Sequence, residues 1–425
     1  MKIILQILNS RNMEAKQSEI ISRICCLGLN FKPLKELGSL YNGLSGKSKT
    51  DFVNGNAKFI SYMNVYSNPA VNTQITDYVN ISPNEKQNTV KYGDVLFTGS
   101  SETPDECGIS SVVTNEIKEP IYLNSFCFGF RLNDKNMFLP EFLKHLFRSD
   151  YMRNAIGKTA SGVTRFNVSK ARFEKIKIPI PPLSIQQEIV KILNSFTELE
   201  TELETELEKR QKQYEYYKKK LLNISQNIER QPLETVFNLR NGYTPPKAKS
   251  EFWTNGTIPW FRMDDIRLNG TILNDSLLHV SRIAVKGENL FPANSILVAT
   301  SATIGIHALI MVPHLSNQRF VSLSLKPEYQ EKLDIKFIYY YFDLLDEWCL
   351  KNTTKSSFLS VNMHEFKKFP IPLPPLSEQQ RIVNILDKFE SLVNDISIGL
   401  PAEIKARHKQ YEYYRDKLLT FKELT

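Results

Sequence analysis

The chain has 425 residues, of which 41% are hydrophobic and 24% charged, and its net charge is +8. This length predicts two or three domains, and the composition is typical of a soluble globular protein. No apolar run approaches the ~20 residues that span a bilayer, which excludes a transmembrane protein, and five cysteines without a CxxC pair favour a reducing cytoplasm over a disulfide framework or a zinc cage.

The N-terminal segment, residues 1–32, opens with MKIILQIL, which has one lysine and no small-residue cleavage site. We interpret it as the start of structure and not as a signal peptide. QSEIISRICCLGL (17–29) predicts a short helix. We expect it to pack near the end of the last helix of the chain and to close a pseudo-twofold ring.

The first globular segment, residues 33–177, mixes strand and helix patterns. VLFTG (95–99) is typical of a strand, and FLPEFLKHLFRSDYMRNAI (138–156) of a helix. GLSGKS (43–48) lacks the four-residue spacing of a phosphate loop. Asp105, Glu116 and Lys118 fit a loose pattern of metal-dependent nucleases, but the second half of the chain has no counterpart to them.

A long helical segment follows at residues 178–231. Pro181 and Pro182 prevent an earlier helix start, Ser184 is a candidate N-cap and Gln187 its capping-box partner. Apolar residues then recur at alternating spacings near four and three, which predicts one helix over about 185–224. The helix contains TELETELETELE (197–208), a tetrapeptide repeated from Thr197, Thr201 and Thr205.

The rest of the chain repeats this plan. IPIPPLSIQQEIVKIL (178–193) returns as IPLPPLSEQQRIVNIL (371–386), and QYEYY occurs at 213–217 and 410–414. FISYMNV (59–65) parallels WFRMDDI (260–266), and GDVLFTGSS (93–101) parallels NSILVATSA (294–302). A second globular segment at 232–370 and a second helical spacer at 371–425 follow, the latter interrupted at Gly399-Leu400-Pro401. The two striped helices are predicted to pair antiparallel.

The duplicated plan, with its proline-led helix and its QYEYY segment, resembles the specificity subunit of a type I restriction–modification enzyme. The resemblance implies an α/β (α+β) fold with two pseudo-repeated target-recognition domains, separated by a pair of long antiparallel helices. It implies a non-catalytic reader of a bipartite, asymmetric double-stranded DNA site. It also implies partners: two modification (methyltransferase) subunits that use S-adenosylmethionine, and restriction subunits where present, which use ATP and Mg.

The candidate DNA-binding residues are cationic and small polar side chains on loops, because lysine holds phosphate whereas arginine and serine also reach base edges. They are Lys47, Lys49, Lys58, Ser100, Ser101, Thr164 and Arg165 in the first half, and Lys247, Lys249, Arg262, Ser301, Lys355 and Ser356 in the second. The candidate docking residues for partner subunits are Gln187, Tyr216, Gln380 and Tyr413. Thr197, Thr201 and Thr205 mark the spacer repeat.

Two other functions stay open at this point. A coiled-coil interaction scaffold without a DNA role would also contain helices with an apolar stripe. The glutamate-rich repeat would then be an ordinary solvent-exposed helix face. A metal-dependent nuclease is the weaker alternative. The six histidines form no metal-ligand spacing, and no amino-methylation motif or glycine-rich S-adenosylmethionine loop is present. We therefore expect no catalytic residues, bound metal or cofactor in this chain.

Overall fold

A computed structural model of the chain describes residue 20 and residues 28–354, 359–394 and 399–424. Its α-helices within these ranges are α1 (Leu34–Leu37), α2 (Tyr62–Ser67), α3 (Pro140–Leu146), α4 (Asp150–Gly157), α5 (Lys170–Phe173), α6 (Leu183–Leu222), α7 (Leu233–Val236), α8 (Met263–Asn269), α9 (Ile335–Lys351), α10 (Met363–Phe366), α11 (Leu376–Asn394) and α12 (Leu400–Leu419). Helix α6 is by far the longest, with 40 residues.

The strands are mostly short. Those of the first half are β1 (Gly28–Leu29), β2 (Phe31–Pro33), β3 (Gly38–Asn42), β4 (Ala57–Ile60), β5 (Tyr78–Val79), β6 (Val95–Thr98), β7 (Ser100–Ser101), β8 (Ser110–Val112), β9 (Ile121–Leu123), β10 (Cys127–Leu132), β11 (Ala160–Ser161), β12 (Phe166–Val168) and β13 (Lys177–Pro179). Those of the second half are β14 (Arg230–Pro232), β15 (Phe237–Asn241), β16 (Ile258–Phe261), β17 (Ile272–Leu273), β18 (His279–Val280), β19 (Ser295–Ala299), β20 (His307–Ile310), β21 (Leu315–Ser316), β22 (Phe320–Leu325), β23 (Thr353–Thr354), β24 (Ser360–Val361), β25 (Pro370–Pro372) and β26 (Lys422–Glu423).

These elements form two compact units. The first contains the described residues of 1–205 together with those of 402–425, and the second contains those of 206–401. Each unit therefore holds one globular half of the chain and parts of the long helices. The mixed α/β fold with two pseudo-repeated halves and long helices, expected from the sequence, is confirmed.

The first unit is built around a four-stranded antiparallel sheet in the order β3-β10-β6-β8. Two three-stranded sheets, β5-β4-β9 and β11-β12-β7, accompany it, and β2 pairs with β13. Strand β1 pairs in parallel with β26, so the two ends of the described chain meet in this unit. Phe97, Phe128, Phe147 and Phe173 contact one another in its core, with ring centroids 4.9–5.4 Å apart.

The second unit repeats this arrangement with a five-stranded sheet in the order β15-β22-β19-β20-β17. A three-stranded sheet, β18-β16-β21, corresponds to β5-β4-β9, and β14 pairs with β25 as β2 pairs with β13. The turns before β6 and β19 share a left-handed residue, Gly93 (φ 84°) and Asn294 (φ 56°). Glycine and asparagine tolerate this conformation better than other residues, so the two segments resemble each other in backbone as well as in sequence.

The apolar stripes of the long helices are covered inside each unit. In the first unit, α6 runs antiparallel to α12: Phe196 stacks on Tyr414 with centroids 5.2 Å apart, and Glu200 accepts a 2.9 Å bond from His408. In the second unit, Tyr214 of α6 stacks on Phe389 of α11 at 6.2 Å. The predicted pairing of striped helices is therefore present within both units.

A buried glutamine fastens the first turn of α6 to the first globular half. The Gln186 side chain is fully buried; its carbonyl accepts from the backbone N–H of Leu139 (2.9 Å) and its amide donates to the carbonyls of Met137 (3.0 Å) and Pro181 (2.8 Å). Leu139 directly precedes α3. One side chain thus satisfies three backbone groups and fixes two helix starts relative to each other.

The second unit has the same fastening. Gln379 is fully buried, accepts from the N–H of Asp334 (2.8 Å) and donates to the carbonyls of Lys332 (2.9 Å) and Pro374 (2.7 Å). Asp334 is the N-cap of α9. Because α9 and α3 hold equivalent places in the two units, the repeated PPLSxQQ sequence encodes one repeated structural contact.

The structure corrects three details of the sequence interpretation. Helix α6 begins at Leu183, so Ser184 lies inside its first turn and is not the N-cap, and Gln186 rather than Gln187 makes the structural contacts. The stretch 138–156 forms two helices, because Ser149 caps α4 through its side chain and ends the first helix. The interruption at Gly399–Pro401 is confirmed, since Gly399 is not helical and α12 begins directly after it, at Leu400. The predicted helix at 17–29 is wrong at its end, because Gly28–Leu29 form strand β1, and most of its other residues lie outside the described ranges.

We predict that Gln186→Ala destabilises the chain by about 2–5 kcal/mol, because it leaves three backbone groups unsatisfied, of which each costs roughly 1–3 kcal/mol when buried. Gln187→Ala is the matched control: this neighbour is exposed, so its removal should change stability by less than about 0.5 kcal/mol. Urea unfolding followed by circular dichroism measures both. Equal effects of the two substitutions would contradict the structural role of Gln186.

Candidate nucleic-acid interface

Each unit carries an open cleft at an equivalent place, beside the short helix that follows β4 or β16. The first cleft has a volume of about 450 Å³ and is lined by Tyr62, Met63, Tyr66, Ser100, Ser101, Glu102, Glu106, Thr164 and Arg165. The second cleft has a volume of about 340 Å³ and is lined by Thr244, Lys247, Trp260, Arg262, Met263, Asp264, Arg267, Thr303, Asn317, Gln318 and Arg319. Neither is an enclosed small-molecule cavity, and both are lined mainly by polar side chains.

The short helices α2 and α8 place side chains on one wall of each cleft. Each helix starts directly after a strand of the three-stranded sheet, with Ser61 and Arg262 as the residues before the first turn. In the second unit, the buried Asp265 carboxylate accepts from the N–H groups of Arg262 (2.7 Å) and Leu277 (2.6 Å). The start of α8 is therefore held by hydrogen bonds, and Met263, Asp264 and Arg267 of the same helix line the cleft.

A hydrogen-bonded carboxylate organises the first cleft. Glu106 accepts from the hydroxyls of Tyr66 (2.9 Å), Ser101 (3.2 Å) and Thr103 (3.1 Å). These bonds hold the pKa of Glu106 below its usual range, and the same carboxylate raises the pKa of Tyr66. The carboxylate therefore stays charged at neutral pH and fixes the positions of three hydroxyl groups.

The rim of the first cleft is apolar and aromatic. Tyr62 and Tyr66 stack with centroids 6.1 Å apart. Met63 of the cleft lining is 59% exposed. Outside the lining, Phe126 is 57% exposed with the Arg165 guanidinium 5.5 Å from its ring centre, and Val163, which precedes Thr164 in the chain, is 91% exposed. Exposed apolar side chains around a polar cleft mark an interaction surface rather than part of a core.

The second cleft is strongly cationic. Lys247, Arg262, Arg267 and Arg319 line it against a single carboxylate, Asp264, which gives a net charge of +3. The first cleft has one cation and two carboxylates, so its net charge is −1. The two repeated clefts thus differ in sign of charge while they share a backbone.

The structure brings four of the seven candidate residues of the first half into one cleft: Ser100, Ser101, Thr164 and Arg165. The Lys47 side chain is instead only 7% exposed and donates to the Glu85 carboxylate at 2.6 Å, and Lys58 pairs with Glu119 at 2.8 Å. Both lysines are occupied within the fold.

In the second half, Lys247 and Arg262 line the cleft, and Arg262 lies 3.2 Å from Asp264. The Lys249 ammonium lies 5.2 Å from the centre of the Phe252 ring, and Ser301 bridges to the backbone of Ser360. Lys355 and Ser356 lie outside the described residues. Lys49 of the first half is exposed and lies outside the residues that line the first cleft.

Sequence reasoning missed several side chains that distinguish the two sites: Tyr66 and Glu106 in the first cleft, Phe126 against its Arg165, and Arg267 and Arg319 in the second cleft. A residue-by-residue alignment of the two repeats would have found part of this set. FISYMNVY set against WFRMDDIR already places Tyr66 opposite Arg267.

The candidate docking residues lie on helix surfaces. Tyr216 is 62% exposed and Tyr413 54%, and Gln187 and Gln380 are also exposed. Tyr216 and Tyr413 each pack edge-on against the next tyrosine, at 5.4 Å in both cases. The two repeats therefore present the same aromatic surface.

The threonines of the TELE repeat bond along the helix. The Thr201 hydroxyl donates to the carbonyl of Thr197 (2.9 Å), and the Thr205 hydroxyl to that of Thr201 (2.8 Å). The repeat is fully helical, so each unit of four residues adds about one turn.

Within the described residues, one group of side chains has metal-ligand spacing: His307, Asp343 and Asp346. His307 bonds Asp346 at 2.6 Å and the carbonyl of Tyr339 at 2.8 Å, and Lys218 pairs with Asp343. Protein partners thus already engage all three side chains. The group contains neither Asp105 nor Glu116. No helix in the described ranges is long and apolar enough to cross a membrane.

Comparison with known proteins gives one consistent family. A family model described as "Type I restriction modification DNA specificity domain" matches residues 28–210 and again 226–406. The Type I restriction enzyme EcoprrI specificity subunit of Escherichia coli is 59% identical over 203 residues, which are 46% of this chain and 51% of that protein. The EcoR124I/EcoR124II specificity subunit of Escherichia coli is 39% identical over 268 residues, 60% of this chain and 65% of that protein. The chain thus spans about half to two thirds of the length of these curated relatives.

Solved structures share the fold. A chain from a structure described as "Structural basis underlying complex assembly and conformational transition of the type I R-M system" has a TM-score of 0.66 at 18% identity, covering 92% of this chain and 97% of that one. The HsdS subunit from Thermoanaerobacter tengcongensis has a TM-score of 0.52 at 19% identity, covering 93% and 97%.

Proposed function

The chain belongs to the family of type I restriction–modification DNA specificity proteins, and we propose that it selects the DNA site for such a complex. In this role it is a non-catalytic component. Its own residues bind and position DNA, and partner subunits perform the chemistry. Methyl transfer by those partners uses S-adenosylmethionine, and any restriction subunits use ATP and Mg.

The observation that carries this proposal is the pair of equivalent clefts with different side chains. A protein that read the same sequence with both units would repeat its contact residues. These two clefts share a backbone arrangement, but the net charge of the first is −1 and that of the second is +3. We infer that each unit reads its own half of a bipartite, asymmetric site. Polar and cationic side chains on loops over a rigid sheet suit that task.

The repeated helices are proposed to dock two modification subunits, one on each repeat. The support is that Tyr216 and Tyr413 are exposed in equivalent QYEYY segments. Exposed aromatic residues are enriched at protein interfaces. Gln187 and Gln380, exposed beside the buried glutamines, supply equivalent polar groups.

The modular function has a direct test. Replacing residues 33–177 by the corresponding segment of another family member should change one half of the methylated sequence and leave the other half intact. Single-molecule sequencing of adenine methylation in cells that also express the modification subunits measures this. The reciprocal replacement of 232–370 is the control, and it should change the other half. If either replacement altered both halves, the two units would read DNA jointly.

We predict that Tyr216→Ala or Tyr413→Ala each weakens binding of one modification subunit by tenfold or more, because buried aromatic anchors contribute about 2 kcal/mol or more. Lys219→Ala, an exposed change on the same helix, is the control. Native mass spectrometry of the assembled complex reports how many modification subunits are bound. Full assembly with both tyrosines removed would rule out this docking surface.

The TELE repeat is proposed to set the unread spacer between the half-sites. Deleting Thr205–Glu208 shortens α6 by ~6 Å and rotates the C-terminal part of the helix by only ~40°, so the apolar stripe survives. At ~3.4 Å per base pair, the methylated site should lose one or two base pairs of spacer and keep both half-sites. Thr201→Ala, which keeps the helix length, should leave the spacer unchanged. A deletion variant with the original spacer would show that the repeat does not measure distance.

A further inference from the structure

Two equivalent positions of the repeated fold carry aromatic side chains in the first unit and arginines in the second. The first pair is Phe126 and Arg319. The N–H of Phe126 donates to the Asn124 side chain (2.9 Å), as that of Arg319 does to Asn317 (3.0 Å). These shared hydrogen bonds show that both residues sit at the same place of the same turn, immediately before β10 and β22.

The second pair is Tyr66 and Arg267. Helix α2 begins directly after Ser61, and α8 directly after Arg262. Tyr66 lies five positions after Ser61, and Arg267 lies five positions after Arg262. Tyr66 and Arg267 both line their clefts. Aromatic side chains at both positions of the first unit are therefore replaced by arginines in the second.

The guanidinium groups of these two arginines are not engaged by any residue that the structure describes. Both are exposed, and among the residues that the structure describes neither guanidinium group has a hydrogen bond or an ion pair. Arg262 differs from them, because it lies beside Asp264. Two uncompensated guanidinium groups in one cleft repel each other and are best satisfied by an external acceptor.

Guanine is the base that fits such groups. Its major-groove edge presents two acceptors, O6 and N7, and the fork of an arginine matches them with two parallel bonds. Adenine, cytosine and thymine present a donor or a single acceptor to the same fork. An arginine that only held phosphate would favour no base, so the two roles can be separated by experiment.

On the basis of the proposed DNA-reading function, we propose that Arg267 and Arg319 read guanine in the half-site of the second unit. The equivalent Tyr66, which lines the first cleft, and Phe126, which lies against Arg165 of that cleft, carry no such fork. The first half-site is therefore read without arginine–guanine contacts from these two positions. The identity of these two side chains then determines part of the difference between the half-sites.

The test uses the chain assembled with its modification subunits. Methylation sequencing first defines the site, and the exchange of 33–177 identifies which half belongs to the second unit. Duplexes are then made in which single guanines of that half are replaced by 7-deazaguanine, which lacks the N7 acceptor. Binding of each duplex is measured by fluorescence anisotropy for the unaltered chain, Arg267→Gln, Arg319→Gln and Lys351→Gln. Lys351 is an exposed cation outside the cleft.

The unaltered chain should lose affinity at specific guanines. Each arginine variant should bind its own guanine and the 7-deaza analogue equally, with discrimination against other bases at that position reduced by roughly 5- to 150-fold. Lys351→Gln should retain full sensitivity to the analogue. The two arginine side chains are exposed, so thermal unfolding of the variants should be unchanged and loss of folding would not explain the result.

Two results would overturn the inference. One is the absence of guanine from the second half-site. The other is unchanged 7-deaza sensitivity in both arginine variants, with uniform weakening across sequences, which would assign these arginines to phosphate. If the proposed DNA-reading function itself were wrong, the result would differ: the unaltered complex would bind all DNA sequences equally.

Discussion

Each unit depends on its own buried glutamine side chain, which follows a pair of prolines. The prolines set where the long helix begins, and Gln186 or Gln379 then bonds the backbone in front of α3 or α9. This contact satisfies backbone N–H and carbonyl groups in front of the helices that would otherwise lack these partners. It fixes each globular half to its long helix without using any residue of the clefts. The cleft side chains can therefore differ between the repeats at little cost to the fold.

The clefts show the effect of this separation. Their backbones correspond through the same turn bonds, to Asn124 in one unit and Asn317 in the other. Yet one cleft contains tyrosines around the bonded Glu106, and the other contains three arginines. Under the proposed function, a shared scaffold with variable contacts lets one chain read two unrelated half-sites. The matching exposed tyrosines of the repeated helices are the proposed docking surface for two identical partners.

The sequence predicts the repeats and the long helices well, because proline pairs, apolar stripes and tandem copies are local signals. It fails where a choice depends on packing. Gln186 and Gln187 are adjacent and chemically identical, and only the positions of Met137 and Leu139 decide which is buried. The sequence predicts that Lys47 binds phosphate, but in the folded chain it pairs with Glu85, which is 38 residues away. Phe126, whose ring lies against the cleft residue Arg165, and Arg319, which lines the second cleft, lie in turns without a motif, so only the fold brings them there.

The central claim is that equivalent clefts contact opposite halves of one DNA site. Site-specific photo-cross-linking tests it most directly, with a photoreactive amino acid placed at Met63 or at Asp264, which are equivalent cleft positions. The assembled complex is irradiated on its methylation site and the cross-linked bases are mapped. The account predicts that the two positions label different half-sites and leave the spacer between them unlabelled. Labelling of the same half-site from both positions, or of the spacer alone, would contradict it.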